Sequence, residues 1–188
     1  RAEIIDLEAG QPTSQLQLEY LDETDDERFS FFKSSDPKFF GFSNDGDGPV
    51  RIQGASIQPP NSVIFSRFLD RDRLLMVLRS GEIAVWAAGE PSRRALWKLD
   101  RGWAMSAVLS NDGAALAMGT SEGKIVVFDV TGTLTPRTET QANKSDVYFL
   151  KFANQDKTLL SVSRDGTARA WNLDTGKRLA TMSASRIA

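Results

Sequence analysis

The stretch SRDGTARAWNLDTG, Ser163 to Gly176, decides how the rest of the sequence is interpreted. Its Asp-Gly pair favours a tight turn, the following residues lead to a tryptophan, and a second turn sequence containing glycine comes next. This order is typical of a short strand between two hairpin turns. We therefore predict a turn at Asp165-Gly166, with Gly166 at a positive φ angle, which glycine adopts without steric cost.

The same pattern occurs twice more upstream, in RSGEIAVWAAGE and in SEGKIVVFDVTG. The turn glycines of the three copies are Gly81, Gly123 and Gly166, which lie 42 and 43 residues apart. Each glycine is followed five residues later by a large aromatic side chain, namely Trp86, Phe128 and Trp171. A period of about 40 to 45 residues with short strands is typical of the blades of a propeller.

These units resemble WD repeats. The last copy carries the pattern S-x-D-G-x-x-x-x-W at Ser163, Asp165, Gly166 and Trp171, whereas Asn172 stands where the family has its closing Asp. The Gly-His pair of the family is absent because the chain contains no histidine. The resemblance implies an all-β fold, a β-propeller of WD-repeat type with four-stranded antiparallel blades.

The repeat divides the chain into six parts. These are 1–28, which supplies the outer two strands of a blade and an acidic loop, a degenerate blade at 29–61, blades at 62–101, 102–144 and 145–182, and a tail at 183–188. Both the first part, through the run QLQLEY at 15–20, and the last blade bring an outer strand, so the two ends cannot complete each other. We expect the ring to be incomplete in this chain, with the missing blades supplied by the same or another chain.

Two runs of apolar residues, LLMVL and AALAM, predict second strands that are buried on both faces. The aromatic side chains that end the third strands are expected to fill the space between neighbouring blades. A ligand-binding role is the alternative for Trp86, Phe128 and Trp171.

The composition excludes several classes of function. The 188 residues carry a formal net charge of −2 with scattered basic residues, which argues against a nucleic-acid partner. No apolar run reaches the roughly 20 residues of a membrane helix, so no membrane partner is expected. The start has no targeting signal and does not begin with Met, and we expect a cytoplasmic location.

The chain offers little for catalysis, and we predict that it is not an enzyme. It contains no cysteine and no histidine, which removes thiolate nucleophiles and imidazole acid–base chemistry. Nucleotide-binding and nucleophile-elbow motifs are also absent. The acidic stretches at 22–27 and 44–48 lack the spacing of a calcium loop, so they are interpreted as loops. Asp112, Asp156 and Asp165 are explained by turn chemistry, so neither a metal nor a cofactor is expected.

The resemblance implies a non-catalytic scaffold for protein–protein interaction, as the sensor or assembly part of a larger protein or complex. Its binding face would carry the turns between second and third strands and the starts of the blades. The residues at those positions are Arg79, Trp103, Glu122, Asp146, Tyr148 and Arg164. Two alternatives stay open, a propeller enzyme or small-ligand binder with its site in the central channel, and a purely structural subunit.

Overall fold

The computed structural model describes residues 4–5, 12–14, 29–33, 40–44, 50–52, 55–70, 73–87 and 94–183. All regular elements in these ranges are β-strands. The strands of the N-terminal part are β1 (Ile4–Ile5), β2 (Pro12–Ser14), β3 (Phe29–Lys33), β4 (Phe40–Asn44), β5 (Val50–Ile52) and β6 (Ala55–Ile57). The next strands are β7 (Val63–Phe68), β8 (Arg73–Leu78), β9 (Glu82–Ala87), β10 (Arg94–Lys98), β11 (Ala104–Leu109) and β12 (Ala115–Thr120). The last strands are β13 (Lys124–Asp129), β14 (Thr135–Gln141), β15 (Val147–Ala153), β16 (Thr158–Ser163), β17 (Thr167–Asn172) and β18 (Arg178–Ser183).

Sixteen of these strands form four antiparallel sheets of four strands each. We call them the first sheet (β3–β6), the second sheet (β7–β10), the third sheet (β11–β14) and the fourth sheet (β15–β18). Within each sheet, strands that follow each other in the chain are neighbours. Strands β1 and β2 form a separate antiparallel pair. The predictions of an all-β fold and of four-stranded antiparallel units are confirmed.

The sheets lie side by side in chain order. Their first strands are the closest elements between neighbouring sheets, since β3 contacts β7, β7 contacts β11, and β11 contacts β15. Among the described residues no strand of the fourth sheet pairs with β1 or β2, so the sheets do not close into a ring there.

Strand positions in the second, third and fourth sheets agree with the sequence. The runs VIFSRF, AMSAVL and TLLSVS coincide with β7, β11 and β16. In the N-terminal part the strand after β1 is Pro12–Ser14, whereas the predicted run at 15–20 lies outside the described residues. The acidic loop at 22–27 and residues 184–188 also lie outside them, and Ser183 ends β18 instead of beginning a tail.

Strand β8 is buried on both faces, as predicted. Its residues from Leu74 to Leu78 have no measurable exposure. Successive side chains point to opposite faces of a strand. Accordingly, Leu74, Met76 and Leu78 belong to one apolar core, and Leu75 and Val77 belong to another.

Each third-strand aromatic packs between its own sheet and the preceding one. Trp86 shares a core with Val50 of the first sheet, and Phe128 shares one with Leu75 and Ile83 of the second. The rings of Phe128 and Trp97 meet edge to face with centroids 4.8 Å apart. The predicted packing role of these aromatic residues is therefore confirmed.

Candidate interaction surface

One backbone hydrogen bond recurs at the same end of three sheets. In each sheet the residue that follows the second strand donates its N–H to the carbonyl of a residue just before the first strand. The three bonds join Arg79 to Ser62 (2.7 Å), Ser121 to Trp103 (2.9 Å) and Arg164 to Asp146 (3.0 Å). The turns between second and third strands therefore lie beside the starts of the first strands, and we call this end of the sheets the Trp103 end.

The turns at this end are built on glycine. Gly81, Gly123 and Gly166 have φ angles of 78°, 80° and 80°. Each glycine donates its N–H to the backbone carbonyl of the residue three positions earlier, and this hydrogen bond closes the turn. Residues with a side chain rarely adopt such angles, which is why glycine recurs with the period of the repeat. The positive φ angle predicted for Gly166 is confirmed.

Trp103 combines a fixed backbone with an uncovered side chain. Its N–H donates to Ser121 Oγ at 3.0 Å, and its carbonyl accepts the N–H of Ser121. The next residue, Ala104, donates its N–H to the carbonyl of Arg79 at 2.9 Å, which ties the third sheet to the second. Nevertheless, 57% of the Trp103 surface remains exposed. The structure thus leaves more than half of a large aromatic side chain exposed at a position where hydrogen bonds hold the backbone.

The charged residues predicted for the interaction face lie at the same end. Arg79 and Glu122 are exposed. The Arg164 guanidinium, whose side chain is 69% exposed, lies with its Nε 3.5 Å from Asp146 Oδ2. A pair this exposed contributes at most about 1 kcal/mol to folding. The structure therefore brings these residues to one end of the sheets, where Asp146 and Arg164 form an ion pair.

A β-bulge near this end was not predicted from the sequence. In β7, β11 and β15 the register with the neighbouring strand skips the second residue. The skipped residues are Ile64, Met105 and Tyr148. A bulge interrupts the strict alternation of side chains between the two faces. Tyr148 is 49% exposed, whereas Ile64 and Met105 are partly buried. An apolar run such as VIFSRF carries no local signal for a bulge.

The opposite end of the third and fourth sheets is held by Asp156. Its carboxylate accepts the backbone N–H and the side-chain amide of Asn111, both at 2.9 Å, and the N–H of Asp112 at 3.2 Å. The turn that presents it has positive φ angles at Asn154, Gln155 and Asp156, although none of them is glycine. These bonds give Asp156 a structural role between two sheets.

Asp165 lies just inside the Trp103 end, with 10% of its side chain exposed. Burial opposes its ionisation, but hydrogen bonds from Lys144 N, from Thr167 Oγ1 and N, and from Arg169 outweigh that effect and hold the pKa of the Asp165 carboxyl well below its ordinary value. The bond from Lys144 N, at 2.9 Å, links the turn to the segment that connects the third and fourth sheets. The sequence predicted turn chemistry here but not this link.

Asp165 should make the fold sensitive to acid. Because its pKa is lower in the folded than in the unfolded chain, where an Asp has a pKa of about 3.9, its contribution is complete above that value and is lost as the pH falls towards the folded pKa. We expect Asp165→Asn to lower the free energy of unfolding by about 2 kcal/mol at pH 7, since charge-assisted bonds are lost. The difference from wild type should shrink between pH 5 and pH 2, as measured by urea denaturation.

Asp174→Asn provides the matched control, because Asp174 is exposed at the next turn. It should change the unfolding free energy by less than about 0.5 kcal/mol at any pH. A wild-type acid profile for Asp165→Asn would contradict the role assigned to the Asp165 carboxylate.

In the part of the chain that the structure describes, the remaining surface offers few features of a chemical site. A cleft of about 340 Å³ between the second and third sheets lies at the opposite end, and its described lining includes Leu75, Val85, Leu134 and Arg94. In the described part of the chain, no group of three or more acidic side chains is placed to hold a metal ion. Over the same residues there is no helix that could cross a membrane.

No protein-family model matches the sequence. The evidence that the second, third and fourth sheets are copies of one repeat therefore comes from the chain itself. In all three sheets the glycine turn, the backbone hydrogen bond and the third-strand aromatic residue recur together.

Proposed function

We propose that this chain is part of a WD-repeat β-propeller that acts as a non-catalytic scaffold for protein–protein interaction, as the sensor or assembly part of a larger protein or complex. The support for the architecture is the agreement between sequence period and structure. Three units 42 and 43 residues apart share a glycine turn, a closing hydrogen bond and an aromatic core residue. Further blades from the same or another chain would complete the ring.

The exposed indole of Trp103 is the observation that carries the interaction role. Leaving a large aromatic side chain in water is unfavourable, and here the backbone is fixed in that position by two bonds to Ser121. Because the backbone at Trp103 is already held by hydrogen bonds, a partner that covers this side chain does not have to order the backbone as well. Tryptophan and arginine also dominate the binding energy of interfaces, and Arg79 lies next to Trp103 through its bond to Ala104.

The partner is a protein or peptide that covers Trp103 and reaches the charged residues around it. Arg79, Glu122 and Arg164 present both signs of charge on exposed side chains. Rim charges of this kind affect partner choice and association rate more than affinity. Trp103 therefore supplies affinity and the charged residues supply specificity.

A catalytic role has weaker support. The acidic side chains with low pKa values, such as Asp112 and Asp129, accept hydrogen bonds from their own turns. On the first strands, the exposed basic residues Arg67 and Lys151 are surrounded by mostly apolar sequence. Among the described residues these features do not form a converging polar site of the kind that catalysis needs.

Capture experiments with the parent protein test the interaction role. We expect Arg79→Glu combined with Arg164→Glu, and separately Trp103→Ala, to weaken capture of the native partner about tenfold or more, which corresponds to a loss of ~1.4 kcal/mol or more. The melting temperature should change little, because exposed charges contribute little to folding. Affinity purification followed by a binding isotherm gives the measurement.

The matched control reverses two exposed cations away from the Trp103 end, Arg137→Glu combined with Lys157→Glu. This variant should bind as wild type does. A partner that is lost from the control pair but kept by the Trp103-end variants would place the interface around Asp112 and Asp156 and overturn the proposal.

A further inference from the structure

The cleft between the second and third sheets has the features of a small-molecule binding site. Its volume is about 340 Å³, which falls within the range of about 300 to 1,000 Å³ that is usual for ligand pockets. Strands β8, β9 and β10 of the second sheet supply one wall, and the loop 130–134 between β13 and β14 supplies the other. Both walls lie at the end of the sheets opposite the Trp103 end. The cleft is therefore separate from the surface proposed above to bind a protein.

The walls of the cleft are mainly apolar. Leu75 has no measurable exposure, and Leu134 is 9% exposed. Val85, Leu96 and Val130 are partly buried and pack against the same core as these two leucines. Because side chains packed in a core keep their positions, these walls are formed before a ligand arrives. A ligand that enters the cleft removes apolar surface from water, which favours binding by roughly 25 cal/mol per Å².

Two arginine side chains line the cleft, and they differ in their partners. Arg73 Nε donates to Asp70 Oδ2 at 2.7 Å, and Arg73 Nη2 lies 2.5 Å from the same oxygen, so this cation is already neutralised. Arg94 is exposed at the rim, and no hydrogen bond or ion pair engages its side chain among the described residues. A guanidinium can donate two parallel hydrogen bonds to a carboxylate. Arg94 thus offers the cleft a site for a carboxylate.

The repeat does not require an arginine at this position. Arg94 lies opposite Val85 in the pairing of β9 with β10. In the third and fourth sheets the corresponding places are taken by Thr138 and Ala180. Those two sheets form with a small neutral side chain there, so the fold does not account for the cation. The arginine is specific to the sheet that bears the cleft.

We propose that this cleft binds a small carboxylate with an apolar body. The apolar body packs against Leu75, Val85 and Leu134, and the carboxylate pairs with the Arg94 guanidinium at the rim. A volume near the lower end of the usual range favours a small ligand over a peptide segment. The site is independent of the Trp103 end and holds whether or not that end binds a protein.

Titration with a matched pair of probes tests the proposal. Phenylbutyrate and phenylbutanol share the same apolar body and differ in whether they carry a carboxylate. We expect the protein to bind phenylbutyrate about tenfold more tightly than phenylbutanol, because only the acid forms charge-assisted hydrogen bonds with Arg94. Arg94→Gln should weaken binding of the acid about tenfold and leave binding of the alcohol unchanged. Calorimetric titration gives the Kd values, and circular dichroism verifies that each variant is folded.

Three further variants tie the effect to the cleft. Arg94→Lys keeps the charge but not the paired geometry, and should recover part of the affinity for the acid. Ala87 lines the cleft on the same face of β9 as Val85, so Ala87→Leu should fill the cleft and weaken binding of both probes about tenfold. Arg101→Gln is the matched control, because it removes an exposed cation at the Trp103 end. It should bind both probes as wild type does.

Several results would overturn the proposal. These are the absence of binding of either probe up to about 10 mM, equal affinity for the acid and the alcohol, and an equal loss of acid binding in Arg94→Gln and Arg101→Gln. Binding that survives Ala87→Leu would place the probes outside the cleft and would also overturn it. None of these outcomes involves partner capture at the Trp103 end, so failure here is distinguishable from failure of the interaction role.

Discussion

Truncation of Trp171 to alanine is expected to lower the free energy of unfolding by about 3 to 5 kcal/mol. The side chain is 9% exposed and belongs to the core between the third and fourth sheets. Its indole Nε1 donates to Ser161 Oγ at 3.1 Å, and Ser161 is fully buried. The substitution therefore leaves a cavity and removes the indole partner of a buried hydroxyl. Urea denaturation followed by intrinsic fluorescence and circular dichroism measures the loss.

Two variants separate these contributions. Trp171→Phe keeps most of the volume but not the hydrogen bond, and should cost about 1 to 3 kcal/mol because the Ser161 hydroxyl loses its partner. Trp103→Ala removes the same side chain from a site that is 57% exposed, and should cost less than about 1 kcal/mol. If Trp171→Ala were to fold as stably as wild type and lose only a partner, Trp171 would be a binding residue instead.

The strands of the last three sheets could be predicted because their signals are local. Runs such as TLLSVS are apolar and rich in residues that favour strands, and each run ends at a turn sequence. A positive φ angle in a turn can also be predicted from the sequence, since few residues other than glycine adopt that angle. The repeat then transfers a prediction made at Gly166 to Gly123 and Gly81.

Features that depend on neighbouring sheets could not be predicted in this way. The hydrogen bond between Asp156 and Asn111 joins residues 45 positions apart. The left-handed turn at 154–156 contains no glycine from which it could have been predicted. The bulges at Met105 and Tyr148 lie inside apolar runs, where either register gives the same sequence pattern. These features are set by tertiary contacts, which override local preference.

For the candidate surface, the sequence predicted which end of the sheets the residues occupy, but not how exposed their side chains are. The repeat spacing placed Arg79, Trp103 and Arg164 at the same end of their units, and the recurring backbone bonds put them there. Whether the Trp103 indole is packed or free depends on what lies beside it, which spacing does not encode. Its 57% exposure and the pair between Arg164 and Asp146 required the structure.

The turn glycines offer the second large effect, through Gly123→Ala. At a φ angle of 80° an alanine costs about 1 to 2 kcal/mol in backbone strain. The new Cβ would also collide with the carbonyl group of Asn143, whose N–H is bonded to the Gly123 carbonyl at 2.8 Å and cannot move away freely. We expect a total loss of about 2 to 5 kcal/mol, because such overpacking adds roughly 1 to 3 kcal/mol to the strain. Equilibrium denaturation provides the measurement.

Gly166→Ala is the matched variant, because Gly166 has the same φ angle and no described atom lies within 4 Å of the new Cβ. It should cost only the strain, about 1 to 2 kcal/mol, and Gly166→Val should cost at least as much. Equal losses of unfolding free energy at Gly123 and Gly166 would show that the segment at Asn143 shifts to make room for the new Cβ without an energetic cost. The difference between the two losses of unfolding free energy gives the cost of the collision with the Asn143 segment at Gly123.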